Sequence, residues 1–164
     1  MSGHAANAGS VGERAVIEGW AALFGVPDLS GDVLRRGAFA KNLIPAGPDR
    51  VRMLHQHAAD EPVGRWTDIR EEARGLFVRG EVFTDTDGGR NLHRLLRGGA
   101  LDGLSIGFKP VRAVRTRTGR ELREVDLWEI SIVTFPMAPG ARITRVEEPA
   151  FRTGPRRPRD LLAG

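Results

Sequence analysis

Apolar and polar residues alternate, or form short apolar runs, along most of this chain, as is typical of β-strands. Glycine, proline and aspartate are concentrated between these runs, which indicates turns. Seven strands are predicted, at residues 15–24, 50–57, 63–70, 75–83, 101–108, 111–116 and 121–135.

Two segments have helical spacing instead. The first spans residues 38–43 and is expected to end before Pro45. The second spans residues 85–98, with Asp85 or Thr86 as its N-cap and glycine after its end. Many strands with two short helices predict a mainly β (α+β) fold, a single-domain barrel or sandwich of about seven strands with flanking helices.

The length of 164 residues suits one domain, predicted at residues 14–145. Residues 1–13 are small and polar and are predicted to be a disordered lead. Residues 146–164 are predicted to be a basic tail rich in proline and arginine. Such a tail can contact nucleic acid or an acidic partner, or can be a solvated end. Because aromatic residues are not interleaved with the arginines, nucleic acid is not predicted as a partner.

Composition excludes several classes of protein. The chain has no cysteine, which excludes disulfides, thiolate catalysis and cysteine zinc sites. No apolar stretch approaches the ~20 residues that span a bilayer, and no signal-peptide pattern follows Met1. A soluble cytoplasmic protein without a membrane partner is therefore expected.

Residues 103–107 read Gly-Leu-Ser-Ile-Gly and match Gly-x-Ser-x-Gly, the nucleophile elbow of serine hydrolases. That elbow requires a strand-to-helix turn and a histidine later in the chain. Here a β-type run from Ile106 to Pro110 follows the serine, and all four histidines precede it. An α/β-hydrolase is therefore not expected, and Ser105 is predicted to lie within a strand.

Side chains alternate between the two faces of a strand. Leu104, Ile106 and Phe108 share one face, which we expect to pack in the core. Ser105 and Gly107 share the other face. Because glycine has no side chain, the hydroxyl is expected to face open space into which a substrate carbonyl fits.

Glu129 lies in a strand that is apolar on both faces. By alternation, one face carries Val125, Leu127, Glu129, Ser131 and Val133, and the other carries Trp128, Ile130 and Ile132. Such a strand is expected to be covered on both sides, so Glu129 should be at least partly buried. A buried carboxylate needs a partner, and either a histidine or an arginine is suitable.

His55 and His57 share a strand face. Two histidines at this spacing can bind a metal, but no third ligand stands at a recognisable spacing, and no metal or other cofactor is predicted. The more specific interpretation is that either His55 or His57 acts as a general base for Ser105. His4 lies in the predicted lead, and His93 is expected to be an ordinary surface residue.

Four blocks occur in a distinctive order. The first is Gly19-Trp-Ala-Ala-Leu-Phe-Gly, followed by Asp28-Leu-Ser-Gly-Asp and Gly37-Ala-Phe. The second is Met53-Leu-His-Gln-His, followed by Pro62-Val-Gly-Arg-Trp. The third is Leu104-Ser-Ile-Gly-Phe, and the fourth is Asp126-Leu-Trp-Glu-Ile-Ser-Ile-Val-Thr-Phe-Pro. With these blocks, residues 15–143 resemble the prohead proteases of tailed bacteriophages and gene transfer agents, serine peptidases similar in fold to the herpesvirus assemblins.

The resemblance implies an assemblin-like barrel and a site made of Ser105 as nucleophile, His57 as general base and Glu129 as third member. It implies a serine endopeptidase that removes the N-terminal scaffold segment of the major capsid protein precursor by acyl transfer. The enzyme would act inside an assembling procapsid in the host bacterial cytoplasm, and related assemblins dimerise. Two alternatives are a catalytically silent assembly module on the same fold and a basic nucleic-acid adaptor.

Overall fold

The computed structural model describes residues 11–153. Its elements, in chain order, are β1 (Val11–Leu23), β2 (Val33–Leu34), α1 (Ala40–Ala46), a 3-10 turn (Pro48–Arg50), β3 (Arg52–His55), β4 (Pro62–Glu71), β5 (Gly75–Phe83), α2 (Asp87–Arg97), β6 (Gly103–Arg115), β7 (Arg120–Val133), β8 (Ile143–Val146) and β9 (Ala150–Thr153). The predicted mainly β class with few helices is confirmed.

The described strands form one sheet in the order β2-β7-β3-β4-β5-β1-β8, with β6 also paired to β7 and β9 to β1. An isolated bridge joins Gly103, at the start of β6, to Arg142, the residue just before β8. The sheet is therefore not closed by a continuous ladder in the described part of the chain.

The predicted count of about seven strands was too low, because residues 11–153 alone form nine. Residues 103–115 form one strand where two were predicted, and Pro110 lies inside it. Proline is accommodated there because β6 pairs with one neighbouring strand, β7, over this stretch. Two of the additional strands, β2 and β9, are short.

Strand pairing extends beyond the predicted domain limits, since Val11 pairs with Thr153. The rest of the predicted lead and tail, including Arg156, Arg157 and Arg159, lies outside the described residues. Neither helix in the described range is long and apolar enough to cross a bilayer.

The helices cover the core of the sheet. Thr86 is the N-cap of α2, and its hydroxyl accepts a hydrogen bond from the Gly89 amide at 3.1 Å. Leu92 and Leu96 of α2 are buried against core residues such as Trp66. His93 is also buried, and its Nε2 lies 3.3 Å from the Glu147 carbonyl, so the expectation of a surface histidine was wrong. The first helix continues through Pro45 to Ala46.

Candidate active site

Strand β7 positions the candidate site because it pairs with β3 and with β6. The pairing with β3 is parallel and sets His55 beside Ile132. The pairing with β6 is antiparallel and sets Ser105 opposite Ser131 and Gly107 opposite Glu129. Directly opposed residues point to the same face of a sheet. Ser105, Ser131 and Glu129 therefore share one face, beside the end of β3.

A tight turn after β3 brings His57 onto this face. The Ala58 amide donates to the His55 carbonyl at 3.0 Å, and the two residues between them, Gln56 and His57, both have positive φ, 54° and 61°. Residues other than glycine rarely adopt positive φ, so contacts with the surrounding structure must stabilise this turn. The Gln56 side chain supplies two of them: its Nε2 donates to Thr134 Oγ1 at 2.6 Å, and its Oε1 accepts from the Thr134 amide at 3.2 Å.

His57 and Glu129 are hydrogen-bonded to each other. Nδ1 of His57 lies 2.5 Å from Oε1 of Glu129. The Glu129 side chain is 15% exposed, while that of His57 is 47% exposed. A carboxylate at Nδ1 favours the tautomer that carries its proton there, which leaves Nε2 as the basic nitrogen.

Ser131 is hydrogen-bonded to both His57 and Glu129. It was not identified as a site residue from the sequence. Its hydroxyl donates to Glu129 Oε2 at 2.6 Å and accepts from the His57 amide at 3.2 Å. The residue is fully buried. The one sequence signal was that Ser131 stands two positions after Glu129 and therefore shares its face.

Gly107 accommodates the Glu129 carboxylate. A Cβ on Gly107 would lie 2.4 Å from Glu129 Oε1 and 2.8 Å from Glu129 Cγ. Both distances are shorter than the normal approach of non-bonded atoms. We expected this glycine to leave open space above the serine for a substrate. The space over Gly107 is instead occupied by the Glu129 carboxylate.

Ser105 lies in the same face but is not hydrogen-bonded directly to His57 in this structure; the residue is 6% exposed. Opposed Cβ atoms in an antiparallel pair lie roughly 5 Å apart, so Ser105 is a close neighbour of Ser131, which contacts both His57 and Glu129. Catalytic hydrogen bonds are often loose without substrate.

The assignment of faces along β7 was correct near Glu129 and wrong before it. Gly107 pairs with Glu129 but Phe108 pairs with Leu127, so Trp128 is an extra residue in β7. This bulge reverses the alternation. Leu127 and Val125 consequently join Ile130 and Ile132 in the core, and Trp128 is 56% exposed. Glu129 is partly buried, as expected, although not because both faces of β7 are covered.

His55 has surroundings different from those of His57. Its Nδ1 lies 3.5 Å from Glu61 Oε2, and its Nε2 is buried without a hydrogen-bond partner. Within residues 11–153 no group of three or more histidine, cysteine or acidic side chains is placed to hold a metal ion.

The Asp28–Asp32 loop lies on the other side of β6 and is held by an ion pair. Both carboxylate oxygens of Asp32 accept from Arg120, at 3.0 and 2.5 Å. This hydrogen-bonded guanidinium lowers the pKa of the Asp32 carboxyl and outweighs the opposing effect of burial.

The profile of a known family, the caudovirus prohead serine proteases, matches residues 4–153. The prohead protease of Enterobacteria phage HK97 is 35% identical over 129 residues, which is 76% of this chain and 57% of that protein. The capsid polyprotein of Pseudomonas phage PAJU2 is 31% identical over 130 residues, which is 74% of this chain and 18% of that protein.

Two solved structures share the fold. The bacteriophage T4 capsid assembly protease gp21 aligns with a TM-score of 0.58 at 14% identity, covering 74% of this chain and 82% of that one. The varicella-zoster virus protease aligns with a TM-score of 0.54 at 16% identity, covering 82% of this chain and 64% of that one. The likeness to herpesvirus proteases is thus confirmed for the fold.

The chain belongs to the caudovirus prohead serine protease family, as its sequence blocks indicated. It spans little more than half the length of the HK97 protease and less than a fifth of the PAJU2 polyprotein.

Proposed function

We propose that this chain is a serine endopeptidase that cuts a capsid protein precursor during procapsid maturation. The observation that carries the proposal is the 2.5 Å hydrogen bond between His57 and the partly buried Glu129, on the sheet face that bears Ser105. A histidine held by a carboxylate next to a strand serine is the arrangement that nucleophilic catalysis by a hydroxyl requires.

The proposed reaction is acyl transfer. Nε2 of His57 takes the Ser105 proton as Oγ attacks the peptide carbonyl, and the resulting imidazolium is stabilised by Glu129. The tetrahedral intermediate collapses when His57 gives that proton to the leaving amine. Water then attacks the acyl-enzyme with His57 as base, and the Ser105 hydroxyl is restored.

The half-exposed ring of His57 suits this role. Its Nδ1 side is fixed by Glu129, and its main-chain amide is fixed by the buried Ser131 hydroxyl. The ring therefore has limited freedom to turn away, while the exposed remainder stays open to a substrate. Such positioning makes a base available at the moment of attack.

The relatives support the substrate class. Their names are those of a prohead protease, a capsid assembly protease and a capsid polyprotein. On this basis we infer that the substrate is the N-terminal scaffold segment of the major capsid protein, cut inside the procapsid in the host cytoplasm. The proposal also includes a protease domain at about residues 14–145, closure of the sheet into a barrel, and a homodimer.

Co-expression with the capsid protein precursor tests the proposed function. The wild-type chain should shorten the precursor at its N-terminal side, as intact mass spectrometry would show, and Ser105→Ala should leave it whole. Thr144→Ala, which removes an exposed hydroxyl on β8, is the matched control and should cut normally. A precursor left uncut by the wild type while particles still assemble would support the silent assembly module instead.

A further inference from the structure

Basic side chains without a partner are concentrated on one part of the surface. Most arginines of the described residues form salt bridges with carboxylates, as Arg65 does with Glu81. Between residues 109 and 117, four exposed basic side chains form no salt bridge or hydrogen bond with another described residue; they are Lys109, Arg112, Arg115 and Arg117. We call residues 109–117 the basic arm. It comprises the second half of β6 and the start of the turn into β7.

The carboxylates opposite the basic arm do not neutralise it, because cations from other segments already bind them. Glu124 lies opposite Arg112 in the β6–β7 ladder, but it is bound by Lys41 at 3.1 Å. Asp126, which lies opposite Lys109, is likewise bound by a cation from outside the arm. The arm therefore presents its positive charge to an external partner.

Two arginines stand directly opposite each other at the end of the arm. Arg115 pairs with Arg120 in the ladder, and like charges in this relation destabilise a sheet. Asp32 binds Arg120 through both carboxylate oxygens, which leaves Arg115 without a counter-ion among the described residues. Arg115, Arg117 and Arg120 border an open depression. An anionic group placed there by a partner would relieve the repulsion between the two arginines.

Two aliphatic side chains are exposed between these cations. Val111 is 54% exposed and Val114 is 42% exposed. No aromatic residue occurs between positions 109 and 117, so the arm has no ring on which a nucleic-acid base could stack. A polypeptide can cover the valines with its own apolar groups, whereas a phosphate backbone offers charge alone. The arm therefore suits an acidic protein segment better than a nucleic acid.

We propose that the basic arm binds an acidic segment of the capsid protein precursor at a distance from the bond that is cut. Lys109 and Arg115 come four and ten residues after Ser105, so at ~3.3 Å per residue they lie up to about 13 and 33 Å from it along the strand. A segment bound to the arm holds the precursor near the site without touching the reacting atoms. The proposal rests on the proposed peptidase function, which supplies the identity of the partner.

Cleavage of the whole precursor, compared with cleavage of a short uncharged peptide that spans the cut site, separates binding at the arm from catalysis. Arg115→Glu should raise KM for the precursor on the order of fivefold and leave both its kcat and the cleavage of the short peptide unchanged. Because the new carboxylate would lie opposite Arg120, thermal unfolding should show no loss of stability.

Arg94→Glu is the matched control, because Arg94 is an exposed arginine on α2 without a partner among the described residues. This variant should cut the precursor as the wild type does. An unchanged KM for the precursor in Arg115→Glu, or an equal loss with the short peptide, would overturn the proposal.

Binding of the precursor to the Ser105→Ala protein tests the arm apart from catalysis. Affinity should fall as NaCl is raised from about 50 to about 300 mM, and adding Arg115→Glu should weaken binding and reduce this salt dependence. A labelled DNA duplex should bind more weakly than the precursor, and tighter binding of the duplex would contradict a protein partner. If the precursor is not cut but its binding depends on Arg115, the peptidase function fails while the arm's role stands. If it is cut but its binding is independent of Arg115, the arm proposal alone fails.

Discussion

Gly107 stands directly opposite Glu129 in the β6–β7 ladder, and the Glu129 carboxylate fills the space where a side chain on residue 107 would lie. The glycine thus lets the carboxylate reach Nδ1 of His57. Its backbone φ is not in the left-handed region, so space rather than backbone freedom is the reason for glycine here.

Gly107→Ala should therefore lower activity without unfolding the protein. The added methyl group would push the Glu129 side chain away from His57, and a displaced catalytic group can cost roughly 100-fold in rate. Capsid precursor cleavage and thermal unfolding measure the two effects. Gly88→Ala in α2, where an added Cβ meets no atom within 4 Å, is the control and should retain full activity. Normal cleavage by Gly107→Ala would contradict the role given to this glycine.

Glu129→Gln should reduce kcat by about 100- to 10,000-fold, because an amide can satisfy Nδ1 but cannot stabilise the imidazolium as a carboxylate does. The matched variant is Glu61→Gln, which alters the neighbour of His55. Single-turnover cleavage of both variants compares them directly. A loss for Glu61→Gln equal to that for Glu129→Gln would indicate that His55 serves the reaction.

Ser131→Ala should reduce both stability and activity. The buried hydroxyl makes two hydrogen bonds, and its removal should cost about 1–3 kcal/mol in the free energy of unfolding, since the Glu129 and His57 groups lose a partner. Urea unfolding gives the first quantity. Because Ser105 remains, residual Ser105-dependent cleavage should persist, in contrast to Ser105→Ala. A variant with unchanged kcat would show that Ser131 only supports the fold.

The Asp32–Arg120 pair should make the protein lose stability in acid. Arg120 lowers the folded-state pKa of Asp32 from its ordinary value of 3.8, so the folded protein binds this proton more weakly than the unfolded chain does. The stabilisation is present above the unfolded pKa and is lost as the pH falls through it toward the folded value. Tm measured from pH 7 down to about pH 2 should fall less steeply in Asp32→Asn. Identical slopes would exclude this contribution.

Much of the site could be predicted from local patterns. Glycine and apolar neighbours indicated a strand around Ser105, and alternation set Glu129 on a face apart from Ile130 and Ile132. The bulge at Trp128 could not be predicted, because one extra residue in a strand leaves no clear trace in composition. Because of this bulge Leu127 faces the core, whereas simple alternation places it on the same face as Glu129.

The choice between His55 and His57 depended on family resemblance, and the structure supplies a physical reason for their difference. Gln56 and His57 form a turn with positive φ although neither is glycine, and contacts from Thr134 and Ser131, more than 70 residues later, hold that turn. Tertiary contacts of this kind cannot be derived from local sequence. The role of Gly107 was misread for the same reason, since its neighbour Glu129 comes from another strand.

Covalent labelling of Ser105 tests most directly whether this serine is a nucleophile that His57 and Glu129 activate. A small alkyl fluorophosphonate is added, the serine oxygen attacks phosphorus and fluoride leaves, and peptide mapping by mass spectrometry locates the adduct. One adduct is expected, at Ser105; it should be absent in Ser105→Ala and should form much more slowly in His57→Ala and Glu129→Gln. An adduct that forms at the same rate without His57, or that forms at a serine other than Ser105, would contradict this assignment.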